Sequence, residues 1–232
     1  MARTVGSNGP RTWRAIRRAG LSLIFEHGYE AVSLRQLAAK AGIQAGSLYN
    51  HIKTKQELLF DLIKVHMEEL LAALEAELAG KENPRDALEA FITFHVDYHI
   101  ARKQEVFISY SEMRSLEPKN NKIIVGLRRR YESRLIRILD EGKLQGQFTV
   151  ADTRFAAYGI LSMLTGVCTW FDPQGRLTAK DVLSLYRDML LNGLIAHIEE
   201  DVGPAGAKPG AAESSVSKDD SRAHRKPRAA NA

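Results

Sequence analysis

Ser33-Leu34-Arg35-Gln36-Leu37-Ala38-Ala39-Lys40-Ala41-Gly42-Ile43-Gln44-Ala45-Gly46-Ser47-Leu48-Tyr49-Asn50-His51 is the stretch from which the fold is read. Its apolar side chains recur at spacings of three and four, with Leu37, Ala38, Ile43 and Leu48 forming one inward set, so helices are expected and not strands. Ser33 followed three residues later by Gln36 is a capping box: the hydroxyl takes a free amide while Gln36 reaches back to the cap. The first helix of the pair should end at Gly42. Small Ala38 and Ala41 let a second one, Gln44 to about His51, approach closely, which makes a helix-turn-helix.

The same reading extends in both directions. A helix is expected from about Arg11 to His27, with Ala15, Leu21, Ile24 and Phe25 inward and Gly28 as its stop. Thr54 with Glu57 predicts a capping box opening a long helix whose apolar stripe is Leu58, Leu59, Leu62, Ile63, His66, Leu70 and Leu74. Further helices are predicted at about 84–102, 104–115, 119–143, 152–171 and 179–200, the last opened by a Thr178 and Asp181 capping box. Only Pro84, Pro118 and Pro173 interrupt the chain between Pro10 and Pro204, and no stretch alternates like a half-buried strand. The expected class is all-α with about nine helices. A three-helix helix-turn-helix domain would occupy 1–56, a larger helical ligand-binding and dimerisation domain 57–202, and a disordered tail rich in Ala, Gly, Pro, Ser and Lys 203–232.

The 232 residues carry a formal charge of +5, unevenly spread. Residues 1–56 hold nine Lys/Arg against two acids, a balance of +7, and residues 203–232 hold six against three, which leaves −5 for residues 57–202. A basic head on an acidic body suits a polyanion, since neutralised phosphates release counterions. The single cysteine, Cys168, excludes an internal disulfide and a Cys-cluster metal site, so a cytoplasmic location is expected. Met1 to Gly20 has no apolar core of a secretory signal. Phe155 to Phe171 is uncharged over 17 residues, but Gly159, Ser162, Thr165, Gly166 and Thr169 within it favour a helix buried in protein over a membrane span.

The second helix of the pair exposes Gln44, Ala45, Gly46, Ser47, Tyr49, Asn50 and His51, small or polar and none acidic. Such a helix can enter a major groove and set side chains against base edges. Here the sequence resembles the TetR family of bacterial transcriptional regulators, through Ala38 to Leu59 preceded by Phe25-Glu26-His27-Gly28-Tyr29. Ile52 stands where the family usually has an aromatic and Lys53 where proline is common. The resemblance implies that Ser33 and Tyr49 hold phosphates through hydroxyls and Lys55 by charge, with Lys53 adding affinity. It places Ala45, Gly46 and Ser47 deepest in the groove, flanked by Gln44, Asn50 and His51. Arg35 could read a guanine edge, and Arg3, Arg11 and Arg14 could add contacts from the arm.

One such unit reads few base pairs, so a homodimer on a palindromic double-stranded operator is expected, with half-sites about 34–36 Å apart or a multiple of that. The expected dimer surface comprises Phe155, Ala156, Ile160, Met163, Leu164 and Val167 on one helix and Val182, Leu185, Tyr186, Met189 and Ile198 on the next; the resemblance implies a four-helix interface, and a closed monomer core is the alternative. His66, Phe91, Phe94, His95, Tyr98, His99, Phe107, Tyr110, Met113, Tyr131, Met163 and Cys168 are candidate lining of an effector cavity, or plain core. Those singled out for ligand contact are His66, Phe94, Tyr98, His99, Phe107, Met113, Tyr131 and Met163.

His95 and His99 have the spacing of a shared metal, but no third ligand is placed, so neither metal nor cofactor is expected. Gly146-Gln147-Phe148 with Asp152, and Trp170 to Thr178, resemble the branch of the family that answers to acyl-CoA thioesters, with Arg128, Arg129 and Arg130 as candidates for a CoA phosphate. The expected function is a DNA-binding regulator, a repressor released by a small effector, with activation equally compatible. The alternatives are an all-α enzyme using His95 and His99 or a membrane-surface adaptor. Against an enzyme, the chain has no Gly-rich phosphate loop, nucleophile elbow or His-Glu-x-x-His string.

Overall fold

A computed structural model describes residues 9–193, whose regular elements are all helices, with no strand among them. The order is α1 (Gly9–His27), α2 (Leu34–Lys40), α3 (Ala45–Leu48), α4 (Lys55–Leu78), α5 (Pro84–Ala101), α6 (Lys103–Ser111), α7 (Pro118–Leu144), α8 (Thr153–Thr165), α9 (Val167–Trp170) and α10 (Ala179–Asp188). A 3₁₀ turn, Met113–Ser115, joins α6 to α7, and a π turn, Met189–Gly193, extends α10. Residues 1–8, with Arg3, and the segment beyond 193, with Ile198 and the expected tail, lie outside the described residues. Among the described residues no helix is long and apolar enough to cross a membrane.

Local chemistry sets the helix ends. Asn83 caps α5 by accepting the Arg85 and Asp86 amides, and Asp152 caps α8 through the amides of Arg154 and Phe155. The Thr178 and Asp181 capping box forms as predicted. At α4 the reciprocal bond differs: Thr54 accepts the Glu57 amide, but the Glu57 carboxylate takes the amide of Lys53 at 2.7 Å. The single helix expected over 152–171 is two helices. Gly166, the weakest helix former after proline, sits at the break, and the Thr169 hydroxyl donates to its carbonyl at 2.7 Å. Likewise the helix predicted at 104–115 stops at Ser111, its last turn tightening to 3₁₀.

α4 is the axis. It packs on α1 of the head and on α5, α6 and α7 of the body. Leu58, Leu59, Ile63 and Leu74 of α4 are buried together with Phe91 and Ile92 of α5 and Ile124 and Leu135 of α7. Each such side chain contributes about 1.5–3 kcal/mol relative to exposure. α8 lies on α5 and α7, and α10 lies on α5. Head and body thus share one continuous core.

Candidate DNA-reading helix and effector cavity

The head presents α3 by burying one residue of it. Leu48 has no exposed surface and Ile52 is buried beneath it, whereas Gln44, Ala45, Gly46, Ser47, Tyr49 and Asn50 are exposed and His51 is half-buried. The turn that aims α3 depends on Gly42, whose φ of +71° strains any residue with a Cβ, while the Ile43 amide donates back to the Ala38 carbonyl at 3.0 Å. α3 itself is one turn long, carried on to Ile52 by the bonds His51 N to Leu48 O and Ile52 N to Leu48 O. Gln44 occupies its N-cap without a side-chain cap bond, so its amide group is free to face a partner.

Other residues expected at DNA have mixed surroundings. Arg35 and Lys53 are exposed. Ser33 is exposed but engaged, since its hydroxyl accepts the Gln36 amide at 3.2 Å and lies 2.7 Å from Gln36 Oε1. Lys55 is turned inward. Its ammonium donates to the carbonyls of Tyr29 at 2.9 Å and Glu30 at 3.2 Å and lies 4.2 Å from the Tyr29 ring centre, so it fastens the start of α4 to the loop after α1. Most of its donor capacity is spent inside the protein.

A cavity of about 690 Å³ opens in the body between α4, α5, α6, α7, α8 and α9. His66, His99, Phe107 and Tyr131 line it as expected, with His95, Tyr110 and Cys168 from the wider set. Phe94, Tyr98, Met113 and Met163 do not. Phe94 and Tyr98 pack ring to ring at 5.3 Å on the flank of α5, Met113 sits on the 3₁₀ turn, and Met163 meets α10, where its carbonyl accepts the Tyr186 hydroxyl at 3.2 Å. Sequence alone did not single out Ser109, Ser111, Ser162, Thr165 and Thr169, since small polar residues on a helix look like solvent-facing ones, nor Met67, Leu70, Tyr158 and Leu161, which read as ordinary core or surface, nor Glu132, which reads as a solvent-facing charge. Of the three successive arginines only Arg128 faces the cavity; Arg129 and Arg130 are exposed.

The inner wall is polar yet uncharged at its histidines. His95 bridges Tyr131 (Nδ1 to hydroxyl, 2.9 Å) and Thr165 (Nε2 to hydroxyl, 3.1 Å) and stacks on His99 at 3.7 Å between ring centres. Burial pushes the His66 pKa down to about 4, reinforced by Arg102 and Arg128, and pushes His99 down to about 3, with His66 adding to the effect. Burial and then His99 hold His95 well below its ordinary value. All three are therefore neutral near pH 7 and can offer both a donor and an acceptor. Among the described residues no three His, Cys, Asp or Glu side chains are placed to hold a metal ion.

Local structure accounts for the segments that resemble the acyl-CoA branch. The Gly146 turn folds Phe148 under Gly142, where a Cβ would collide with the ring, and Asp172 closes its own turn by accepting the Gln174 amide. Neither segment lines the cavity.

Cavity and head meet at the end of α6. Phe107 lines the cavity and packs edge-on against Phe25 of α1 at 5.2 Å. One turn later Glu112 accepts the Tyr29 amide, while Gln56 at the start of α4 donates to the Ser115 carbonyl and accepts the Glu117 amide at 3.2 Å. No feature of the sequence signalled this clasp, since its partners are 59 to 83 residues apart.

The expected dimer surface divides in two. Ile160, Leu164, Val182 and Tyr186 are buried within the protomer, where α8 and α10 meet α5, and so do not form a free surface. Phe155, 78% exposed, Leu185 and Met189, both over half exposed, point outward together with Tyr158 and Trp170. These helices are apolar on both sides, so periodicity alone could not tell the inner stripe from the outer.

Comparison with known proteins agrees with this architecture. Residues 16–62 match the family profile "Bacterial regulatory proteins, tetR family", and residues 81–194 match "Tetracyclin repressor-like, C-terminal domain". The solved TetR-family transcriptional regulator PfmR of Thermus thermophilus is 34% identical, with a TM-score of 0.71 over 78% of this chain and 98% of that one. The HTH-type transcriptional repressor KstR2 of Rhodococcus jostii is 25% identical over 193 residues, 82% of this chain and 94% of its own. AibR, solved in complex with isovaleryl coenzyme A and operator DNA, is 25% identical, with a TM-score of 0.68 over 79% of this chain and 98% of that one. With the buried Leu48 presenting an exposed reading turn on a helical body, these matches make the chain a DNA-binding transcriptional regulator of the TetR family.

Proposed function

We propose that the chain is a repressor that binds a palindromic operator as a homodimer in the cytoplasm and releases it when an acyl-CoA thioester fills the body cavity. The observation that carries this reading is the α6 clasp: the helix that lines the cavity through Phe107, Ser109 and Tyr110 ends on Glu112, which holds the head through Tyr29. A ligand that displaces α6 must move that anchor, and with it the spacing of two α3 turns across a dimer. Its leverage is its differential affinity for the two states, about 1–3 kcal/mol of coupling.

In this reading Gln44, Ser47, Asn50 and Arg35 read base edges, Ala45 and Gly46 allow close approach, and Tyr49 and Lys53 hold phosphates. The dimer forms through the outward stripe of Phe155, Tyr158, Leu185 and Met189. The thioester class is supported by AibR, a relative of the same fold solved in complex with isovaleryl coenzyme A. Selecting bound fragments from genomic DNA, then repeating the selection with a panel of acyl-CoA thioesters, tests it. Enrichment of a palindrome that one thioester abolishes is expected, and a palindrome insensitive to every thioester would remove the effector class while leaving DNA binding intact.

A further inference from the structure

Arg128 of α7 lies at the wall of the cavity with no carboxylate within 4.0 Å among the described residues. One of its terminal nitrogens donates to the Ser109 carbonyl at 2.6 Å, the guanidinium carbon lies 4.1 Å from the Tyr110 ring centre, and Nε is buried without a partner. Glu132, one turn further along and also at the cavity wall, stays beyond ion-pairing distance. The other arginines drawn against the body are matched: Arg102 pairs with Glu69, Arg134 with Glu75 and Arg187 with Glu89.

A half-buried guanidinium held by a carbonyl and an aromatic face, with Glu132 acting on it only through space, is desolvated without an ion-pair partner, which is unfavourable until an anion arrives. Its planar fork suits a carboxylate or phosphate oxygen pair. The hydroxyl of Ser111, buried without a partner, also belongs to the cavity wall.

We propose that Arg128 is the anion receptor of the cavity, and that the effector seats a carboxylate or phosphate group against it. This rests on the cavity being the effector pocket. The anion has two possible sources in a thioester ligand, the phosphates of CoA and an acid group on the acyl chain. Arg128 reads the charge, while the neutral histidines and Leu70 receive the remainder.

The full-length wild-type chain, Arg128→Met and Arg128→Lys are compared by calorimetry with three probes: hexanoyl-CoA, adipoyl-CoA with its terminal carboxylate, and adipate without CoA. Arg128→Met is expected to weaken at least one probe about tenfold or more, with Arg128→Lys intermediate, while the ligand-free melting temperature is unchanged or higher. A loss shared by both thioesters assigns the anion to CoA, and a loss confined to adipoyl-CoA and adipate assigns it to the acyl chain. Equal affinities across the variants, no binding of any probe to the wild type, or a lower melting temperature with affinities intact would overturn the proposal. Operator release, followed separately by anisotropy, keeps the two claims apart: Arg128-dependent binding that leaves DNA bound contradicts the effector reading alone.

Discussion

Glu112 Oε1 accepts the backbone amide of Tyr29 at 3.2 Å, joining the end of α6 to the loop after α1 across 83 residues of sequence. Its other carboxylate oxygen takes the Ser115 hydroxyl at 3.2 Å, so one side chain holds both the head and the turn that opens α7. Glu112→Ala leaves a part-buried amide without its acceptor and should cost about 1–3 kcal/mol of stability. Its more telling effect should be on regulation. Operator affinity measured with and without a saturating effector should differ less than in the wild type, whereas Glu112→Gln, which still accepts, should retain most of the difference.

Leu48 and Tyr49 are neighbours with opposite duties. Leu48 is fully buried, so Leu48→Ala should destabilise the head by about 2–5 kcal/mol, read as a lower midpoint in urea. Tyr49 is 58% exposed, and Tyr49→Ala should leave that midpoint nearly unchanged while weakening binding to every duplex alike, as loss of a phosphate contact does. A Tyr49→Ala protein that binds all duplexes as tightly as the wild type would remove that contact from the account.

On the outer face, Met189→Glu and Phe155→Glu place a charge in the exposed stripe and should turn dimers into folded monomers by sedimentation, with loss of tight operator binding. Val182→Glu instead buries that charge inside the protomer and should unfold it. If Met189→Glu still sediments as a dimer, the interface lies elsewhere.

His66 gives the stability a defined pH dependence. It is neutral in the folded chain down to about pH 4, while an unfolded histidine takes its proton near 6.5, so between those values the unfolded state binds more protons. Its stabilising contribution is complete above about pH 6.5 and is lost as pH falls toward 4, at about 1.4 kcal/mol per pH unit for one histidine. His99 and His95, with their lowered pKa values, add to the same slope. His66→Leu should reduce the slope of unfolding free energy across this window by about one proton's worth. An unchanged slope would mean that His66 is protonated in the folded chain.

The parts of the molecule written in short-range chemistry were legible in the sequence. The Ser33 and Gln36 box, the Gly42 turn and the Thr178 and Asp181 box depend on residues three or four apart, and each forms. What depends on long-range packing was not legible. Nothing local says that Ile160 and Leu164 turn inward while Phe155 turns out, or that Lys55 meets the Tyr29 carbonyl instead of solvent. In the cavity, the three histidines, Phe107, Tyr110 and Tyr131 announced themselves by type, but the same signal also pointed to Phe94 and Tyr98, which lie elsewhere, and Tyr158, Ser109, Thr165 and Thr169 gave no signal. Their role is set by α6, α8 and α9 closing on one space.

The most direct measurement is an anisotropy titration of the full chain against an operator duplex selected from genomic DNA and against a scrambled duplex of equal length, repeated for Gln44→Ala and Ser47→Ala over a range of salt. The account predicts two chains per operator, an operator affinity about 10³-fold or more above the scrambled one, and a narrowing of that ratio in both variants. Equal affinity for the two duplexes at every salt concentration, in all three proteins, would contradict it.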